Sequence, residues 1–222
     1  MSWLPMHSVK LMNETGGDVG CTVLCFKPHQ VTSDFFAGSL SGLLLHASFT
    51  VPPDSGLNPE LVKAYIQAHC AAVTTVQQSP FFPDLRLSVG DWSFAVWKEG
   101  VAEPIFQSPM KGARLSTGKQ EDMVRLVCGC WSPTRPAVIF IGREDGHLDV
   151  WDLLDRSHEP SETREIIVPR SLTCLGFHPS ITSARSGGAL ATLLAIGDSE
   201  GTLHLHNLRP NLVRWGNQAS GG

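Results

Sequence analysis

The sequence predicts an all-β fold built from about four related units. Three observations support this prediction: short alternating apolar segments, tight turns that carry an acidic residue or glycine, and recurrence of both features along the chain. The turns lie at intervals of 50, 54 and 55 residues, at Ser41-Gly42, Asp91, Asp145-Gly146 and Glu200-Gly201. A repeat of this length is typical of propeller blades or of a solenoid.

The segments around each turn distinguish these two architectures. Runs such as DFFAGSL and AVIFIG alternate with the period of a β-strand, which favours three or four short strands in each unit. Only NPELVKAYIQAH, residues 58–69, begins like a helix, with Asn58 as its cap and Pro59 in its first turn. The sequence therefore predicts blades, with one short helix in a connection.

The second unit has the residue spacing of a WD repeat. His69 precedes Asp91 by 22 residues, Ser88 lies in the strand between them, and Trp97 follows Asp91 by six. We expect a buried network in which the histidine bonds to the aspartate, the serine and the tryptophan and fixes the turn against the outer strand. A catalytic Ser-His-Asp triad uses the same residue types, but the sequence offers no nucleophile elbow. We favour the structural interpretation and predict that the chain is not an enzyme.

The third unit repeats the six-residue step from turn to tryptophan. Asp145 is predicted to be a turn residue, Asp149 to point to solvent, and Trp151 and Asp152 to close the strand. Met123 stands where the histidine of the network would fall. Because the third unit keeps this step, the predicted structural residues also include Asp145, Trp151 and Asp152. The first and fourth units lack the Trp-Asp pair.

Composition argues against several classes of function. A formal net charge of −4, with 17 Lys+Arg against 21 Asp+Glu, leaves no basic patch for nucleic acid. The longest apolar run, residues 189–196, is too short to span a membrane. The six cysteines lack zinc-ligand spacing, and His204 and His206 share a strand face without a third ligand. We expect no cofactor, no metal ion and no membrane insertion.

Three segments carry a resemblance to a known family, namely residues 89–100, 131–160 and 196–208. They resemble the C-terminal propeller of dynein intermediate chains, most closely the axonemal inner-arm intermediate chain with WD repeats. The resemblance implies a non-catalytic scaffold that binds a dynein heavy chain through its propeller and supports motility of cilia or flagella. It implies a location in the cytoplasm and cytoskeleton, at the axoneme.

The resemblance also implies other dynein intermediate chains and light chains as partners of the full-length protein. Because the sequence enters a repeat within about twenty residues of Met1, we expect the light-chain-binding arm to be absent here. Residues 120–130 interrupt the family pattern, which we interpret as a longer surface loop or an insertion from splicing or from the gene model. Four repeats are too few for a ring of seven or more blades, so we expect an incomplete propeller with open sheet faces.

The expected propeller segment spans residues 1–215, followed by a flexible tail at 216–222. Within it the repeats are expected near 19–50, 69–100, 120–155 and 170–208. Lys98, Arg135 and Arg143 are candidate exposed contacts for a partner protein, because arginine and other anchors concentrate binding energy at interfaces. A competing hypothesis is a general WD-repeat adaptor of a non-dynein complex, since the fold alone does not determine function.

Overall fold

The structure is a computed structural model that describes residues 10–27, 33–48, 62–109, 123–167, 169–177, 193–209 and Leu212. This part of the chain contains no helix that is long and apolar enough to cross a membrane. Its strands form four antiparallel sheets, which we call blades 1 to 4. Blade 1 contains β1 (Cys21–Phe26), β2 (Asp34–Ser39), β3 (Leu43–Ser48) and β4 (Val62–Gln67), and blade 2 contains β5 (Val73–Gln78), β6 (Leu85–Gly90), β7 (Ser93–Lys98) and β8 (Phe106–Gln107). Blade 3 contains β9 (Leu126–Trp131), β10 (Val138–Arg143), β11 (His147–Asp152) and β12 (Glu162–Glu165), and blade 4 contains β13 (Leu172–Phe177), β14 (Leu193–Asp198) and β15 (Leu203–Asn207).

The strands of each blade pair in chain order, so every blade is a simple meander. The first strands β1, β5, β9 and β13 lie next to one another in that order along the inner edge. This arrangement confirms the predicted all-β fold, an incomplete propeller of WD-repeat type.

The predicted helix over residues 58–69 is wrong for residues 62–67, which form β4. Ile66 pairs with Leu44, and Ala64 pairs with His46, so the segment is the outermost strand of blade 1. Residues 58–61, including the expected cap, lie outside the described residues. Pairing with β3 decides the conformation of this segment, because tertiary contacts override the weak preference of a short helical pattern.

The expectation of a surface loop at residues 120–130 is wrong for residues 126–130, whereas the alternative of an insertion from splicing or from the gene model stays a prediction. Residues 126–130 form most of β9, the innermost strand of blade 3. Gly129 pairs with Ile141 of its own blade, and its backbone N–H donates to Thr75 Oγ1 of blade 2 at 3.2 Å. This segment is therefore an integral part of the sheet, whereas residues 120–122 lie outside the described part.

Each innermost strand has an irregular register at its second residue. The residues that interrupt the pairing are Thr22, Thr74, Val127 and Thr173. Because the β-bulge occurs at the same place in all four blades, the inner-strand residues of one blade can be matched one by one with those of the others.

Most of the core lies between blades. Phe36 and Leu44 of blade 1 pack with Val73 and Trp97 of blade 2. Similar clusters join blade 2 to blade 3 and blade 3 to blade 4. A fourth cluster covers the face of blade 1 that points away from blade 2, where residues of the N-terminal segment pack against it. Burial of apolar area between sheets therefore holds neighbouring blades together.

Candidate functional site

The network predicted in the second unit lies at the contact between blades 1 and 2. His69 Nε2 is 2.9 Å from Ser88 Oγ, and Trp97 Nε1 donates to the same oxygen at 2.8 Å. All three residues are buried. His69 belongs to the loop that leaves β4, whereas Ser88 and Trp97 lie on β6 and β7, so the serine hydroxyl joins the entering loop to the middle of the sheet.

Asp91 makes a different contact from the one expected. Its carboxylate accepts a hydrogen bond from the backbone N–H of Ala71, whereas the His69 ring bonds to Ser88 and lies 3.4 Å from Ser93 Oγ through Nδ1. The carbonyl oxygen of Asp91 accepts from the N–H of Leu126 at 2.7 Å. Its φ of 54° lies in the left-handed region, which aspartate tolerates better than most residues. This turn therefore contacts the loop entering blade 2 and the strand entering blade 3.

The electrostatics of this network favour a structural role. Burial lowers the pKa of His69, and the charge of Asp91 opposes this effect only in part. A neutral imidazole at pH 7 suits a hydrogen-bonded interior. The Ser88 hydroxyl is fully buried and already has two side-chain partners, so it is not placed as an exposed nucleophile.

The three residues predicted in the third unit make separate contacts. Asp145 lies in the turn and accepts hydrogen bonds from Arg143 Nη2 at 2.6 Å and from the backbone N–H of His147 at 3.2 Å. Burial alone would raise the pKa of Asp145. The hydrogen bond and charge of Arg143, together with the N–H of His147, outweigh this effect, so the pKa lies below its usual value. Asp152 pairs with Arg135 and accepts from the N–H of Leu154. Asp145 and Asp152 therefore hold the two ends of one strand.

Trp151 packs between blades, whereas Trp97 takes part in a buried hydrogen-bonded network. The Trp151 ring lies 5.0 Å from that of Phe94 and 6.3 Å from that of Phe106, measured between centroids, and both partners belong to blade 2. The edge-to-face arrangement is the favoured geometry for aromatic pairs. The two predicted tryptophans thus stabilise successive blade contacts in different ways.

Asp149 was expected to point to solvent, and this prediction is wrong. The residue is buried, and Thr163 Oγ1 donates to its carboxylate at 2.7 Å. Arg143 Nη1 lies 3.5 Å from the same oxygen. Strand β12 pairs with β11 at this point and brings Thr163 opposite Asp149, so the acid is covered and has partners.

Sequence reasoning missed the polar centre of blade 4. Asp198 Oδ1 accepts from the backbone N–H groups of Glu200 and Thr202, both at 2.9 Å, and Oδ2 lies 3.1 Å from His204 Nε2. The bond from His204 is the main reason that the pKa of Asp198 is lowered. An aspartate at the start of a turn often accepts hydrogen bonds from the backbone N–H groups that follow it. Asp198, placed just before the Glu200-Gly201 turn, could have been recognised in this way. No cluster of three metal-ligating side chains is present in the described ranges.

A buried cation between blades 1 and 2 was also missed. Arg86 donates to Glu99 Oε2 at 2.8 Å, and its guanidinium carbon lies 3.5 Å from the centre of the Phe36 ring. Lys27 donates to the other oxygen of Glu99 at 3.0 Å. Burial raises the pKa of Glu99, but the hydrogen bonds from Arg86 and Lys27 depress it overall. Only the three-dimensional pairing of the blades identifies this arginine as buried.

The three predicted partner-binding residues differ in their exposure. Lys98 is half exposed and lies 3.9 Å from Asp84. Arg135 and Arg143 were expected to be exposed, but their side chains are mostly covered and form ion pairs within blade 3. Asp152 and Asp145 lie close enough to pair with these two arginines. Of the three residues, only Lys98 therefore presents its charge to solvent.

Two glycine turns repeat the link that Asp91 makes. The carbonyl oxygen of Gly42 accepts from the N–H groups of Ala68 and His69, both at 3.1 Å. The carbonyl oxygen of Gly146 accepts in the same way from Ile166 and Ile167. We call these bonds, together with that from Leu126 to Asp91, the turn-to-loop contacts. They bind the central turn of each of the first three blades to the chain that leads into the next blade.

The chain is similar to axonemal dynein intermediate chains over most of its length. A family described as "Dynein axonemal intermediate chain 3 WD40 domain" matches residues 20–208. The dynein axonemal intermediate chain 3 of Homo sapiens is 34% identical over 184 residues, which cover 81% of this chain and 18% of the relative. That of Macaca fascicularis is 35% identical over 77% of this chain and 18% of the relative. The dynein axonemal intermediate chain 2 of Xenopus laevis is 27% identical over 88% of this chain and 30% of the relative. The chain thus spans less than a third of the length of these relatives.

Proposed function

Because this chain belongs to the WD40-domain family of axonemal dynein intermediate chains, we propose that it is a non-catalytic scaffold subunit of an inner-arm axonemal dynein. The observation that carries the proposal is the family match over residues 20–208, which includes all four blades. The proposed site of action is the axoneme of a cilium or flagellum, where the subunit supports motility.

The proposed partner is a dynein heavy chain, bound through the outer surface of the blades. Propeller blades offer a rigid surface on which a few side chains can act as anchors. Lys98 is the candidate contact, because it is half exposed at the end of β7 and its carboxylate neighbour Asp84 is 3.9 Å away. Other intermediate chains and light chains are proposed as partners of the full-length protein.

Arg135 and Arg143 are proposed to act indirectly. Arg135 pairs with Asp152 at the end of strand β11, and Arg143 pairs with Asp145 in the turn before it. Each ion pair stabilises the conformation of this part of blade 3. Replacing either residue is expected to reduce stability before it reduces partner binding.

A scaffold role agrees with the geometry of the buried network. The only serine that sequence analysis placed beside a histidine and an aspartate is Ser88, whose hydroxyl is held by Trp97 and His69 inside the protein. Such a group stabilises a blade and is not accessible to a substrate. The proposal therefore assigns these residues to structure.

Affinity capture from an extract of ciliated cells tests the function. The tagged chain is expected to recover inner-arm dynein heavy chains, identified by mass spectrometry. Lys98→Glu should reduce this recovery several-fold, because it reverses the charge of the proposed contact. Lys10→Glu is the matched control, since Lys10 is an exposed lysine of the N-terminal segment with a surface aspartate partner.

Three outcomes would count against the proposal. Recovery of a defined non-dynein complex, without heavy chain, would support the adaptor hypothesis. Equal loss in both lysine variants would show that net charge, and not Lys98, controls capture. Turnover of a hydrolase or nucleotide substrate by the purified chain, abolished by Ser88→Ala, would contradict the non-catalytic assignment.

A further inference from the structure

A crevice opens between the outer parts of blades 1 and 2. Its volume is about 330 Å³, and blade 1 lines it with Leu44, His46 and Ile66. Blade 2 lines it with Trp97 and with the loop that follows β7, which includes Val101. Sites for whole small molecules occupy roughly 300–1,000 Å³, so this crevice lies at the small end of that range and suits one or two side chains of a partner.

The crevice exists because the outer strand of blade 2 is short. Strand β8 pairs only with Ala95 and Val96, whereas β4 pairs with residues Leu43 to Ala47 of blade 1. The end of β7, at Trp97 and Lys98, therefore has no outer strand beside it in the described part of blade 2. The wall that blade 1 offers is complete, and the wall that blade 2 offers is cut back.

The walls are mostly apolar, and part of this apolar surface is open to water. Leu44 and Trp97 are buried at 4% and 5% exposure, but Ile66 is only partly buried and Val101 is 42% exposed. Ala64 pairs with His46 and has only a methyl side chain, which leaves room beside the imidazole. An apolar side chain from a partner would remove this surface from water.

Two buried polar atoms of the crevice have no hydrogen-bond partner among the described residues. They are Nε of Arg86 and Nε2 of His46. Arg86 is 3% exposed and uses Nη2 to bind Glu99, whereas His46 Nε2 lies 3.5 Å from Asp34 Oδ2. A buried N–H group without an acceptor is costly, because it has lost water without gaining a hydrogen bond. An oxygen atom of a ligand in the crevice can supply the acceptor that Arg86 Nε lacks.

The charged side chains of the crevice favour an anion, although the whole chain has a formal net charge of −4. Two cations, Arg86 and Lys98, and one anion, Glu99, line it. Both carboxylate oxygens of Glu99 are already bound, one by Arg86 and the other by Lys27. Lys98 is half exposed, and its ammonium group is 3.9 Å from Asp84. A carboxylate that approaches Lys98 from solvent therefore meets a complementary charge.

We propose that this crevice binds an extended segment of a partner protein in which an apolar residue is next to an aspartate or glutamate. The apolar side chain fills the space beside Ala64, a backbone carbonyl of the segment accepts from Arg86 Nε, and the acidic side chain pairs with Lys98. The proposal deepens the proposed function and rests on it for the identity of the partner, because Lys98 is the same contact.

Selection from a phage library of random peptides tests this recognition, with the purified chain as bait. Peptides that carry an apolar residue next to an acidic one should be enriched. Ala64→Leu fills the space beside His46 and should weaken binding of a selected, fluorescently labelled peptide roughly tenfold, as measured by anisotropy. Ala137→Leu is the matched control, because Ala137 is also a partly buried alanine but lies in the loop between β9 and β10. This control should bind the peptide like the unmodified chain, and thermal denaturation shows whether both variants are folded.

A double-mutant cycle tests the charge pair without filling the crevice. Lys98→Met should weaken binding of the same peptide roughly tenfold, and so should replacement of the acidic peptide residue by its amide. The two changes together should weaken binding little more than either alone, because both remove the same pair. Lys10→Met, at an exposed lysine of the N-terminal segment, is the control and should leave the affinity unchanged.

Three results would overturn the proposal. They are the absence of enriched peptides, enrichment of peptides without an acidic residue, and full affinity in Ala64→Leu. The selected peptide should also compete with dynein heavy chain in the capture experiment from ciliated cells. Heavy-chain recovery that the peptide does not reduce would contradict the crevice as the contact and leave the proposed function intact. Peptide binding as expected, without recovery of heavy chain, would support the crevice and contradict the proposed function.

Discussion

Trp97 Nε1 and Ser88 Oγ form a 2.8 Å hydrogen bond between adjacent strands in the interior of blade 2. The same oxygen binds His69, which comes from the loop that leaves blade 1. One hydroxyl group therefore joins two blades at the point where the chain passes from one to the other.

Replacement of Trp97 by phenylalanine should lower the free energy of unfolding by about 1–2 kcal/mol. The substitution removes one buried hydrogen bond and part of the ring that packs against blade 1, but Ser88 keeps His69 as a partner. Urea denaturation followed by circular dichroism measures the change. Trp92→Phe, at a half-buried turn position, is the control and should change stability by less than about 0.5 kcal/mol. Equal effects of the two variants would contradict a special role for the bond.

The stability of the protein should decrease as the pH falls from about 7 to 5. Burial lowers the pKa of His69 in the folded state below its unfolded value of about 6.5. The unfolded chain therefore binds a proton in this range before the folded chain does, so stability is complete above pH 6.5 and falls as the pH drops towards the folded pKa. His46 and His206 act in the same direction, chiefly through burial.

Denaturation of His69→Gln at pH 7.5 and pH 5.5 measures this effect. The variant should be less stable at pH 7.5 but should lose less stability on acidification than the unmodified chain. An unchanged pH dependence would show that the imidazole of His69 does not contribute to the linkage.

Three glycines with positive φ should respond differently to alanine. Gly42, Gly146 and Gly100 have φ values of 86°, 84° and 80°. A Cβ on Gly42 or Gly146 would lie 1.9 Å from the carbonyl oxygen of His69 or Ile167, whereas a Cβ on Gly100 has no neighbour within 4 Å. Backbone strain alone, roughly 1–2 kcal/mol, applies to Gly100→Ala.

Gly42→Ala and Gly146→Ala should each lose about 2 kcal/mol more than Gly100→Ala, because the clash also breaks two turn-to-loop hydrogen bonds of about 1 kcal/mol each. Thermal and urea denaturation of the three variants provide the comparison. Similar losses of unfolding free energy in all three variants would show that the loops after β4 and β12 move away from the added Cβ without loss of stability.

Neutralisation of Glu99 should cost more than removal of a surface charge. Glu99→Gln leaves the buried guanidinium of Arg86 without its anionic partner, and we expect a loss of about 2 kcal/mol. Asp84→Asn breaks the exposed pair with Lys98, which is 3.9 Å long, and should cost at most about 0.5 kcal/mol. Unfolding in urea at low and high salt separates the two. A salt-sensitive loss of equal size in both variants would contradict burial of the Arg86 charge.

Local spacing was enough to predict some of these relationships. His69, Ser88 and Trp97 come together because a repeat fixes their separation along the chain, and alternation of apolar residues identified strands such as β10. The six-residue step to Trp151 was equally visible, but its partners Phe94 and Phe106 come from another blade. Sequence spacing within one unit carries no information about that contact.

Other features depend on pairing that the sequence does not display. Asp149 is charged and lies on an alternating strand, so exposure was the simplest expectation until Thr163 was found opposite it. Residues 62–67 become a strand because β3 offers them an edge. Residues 126–130 differ from the expected pattern, yet they complete blade 3. Each error arose where a long-range hydrogen-bonded neighbour determines the local conformation.

The turn-to-loop contacts have a consequence for how the protein unfolds. The carbonyl oxygens of Gly42, Asp91 and Gly146 hold the start of the following blade, so one blade cannot open at its central turn without releasing the next. Melting should therefore spread along the chain as a cooperative front, and loss of one contact should divide a single transition into two. These three backbone oxygens thus add directional hydrogen bonds to the apolar contacts that join the row of sheets.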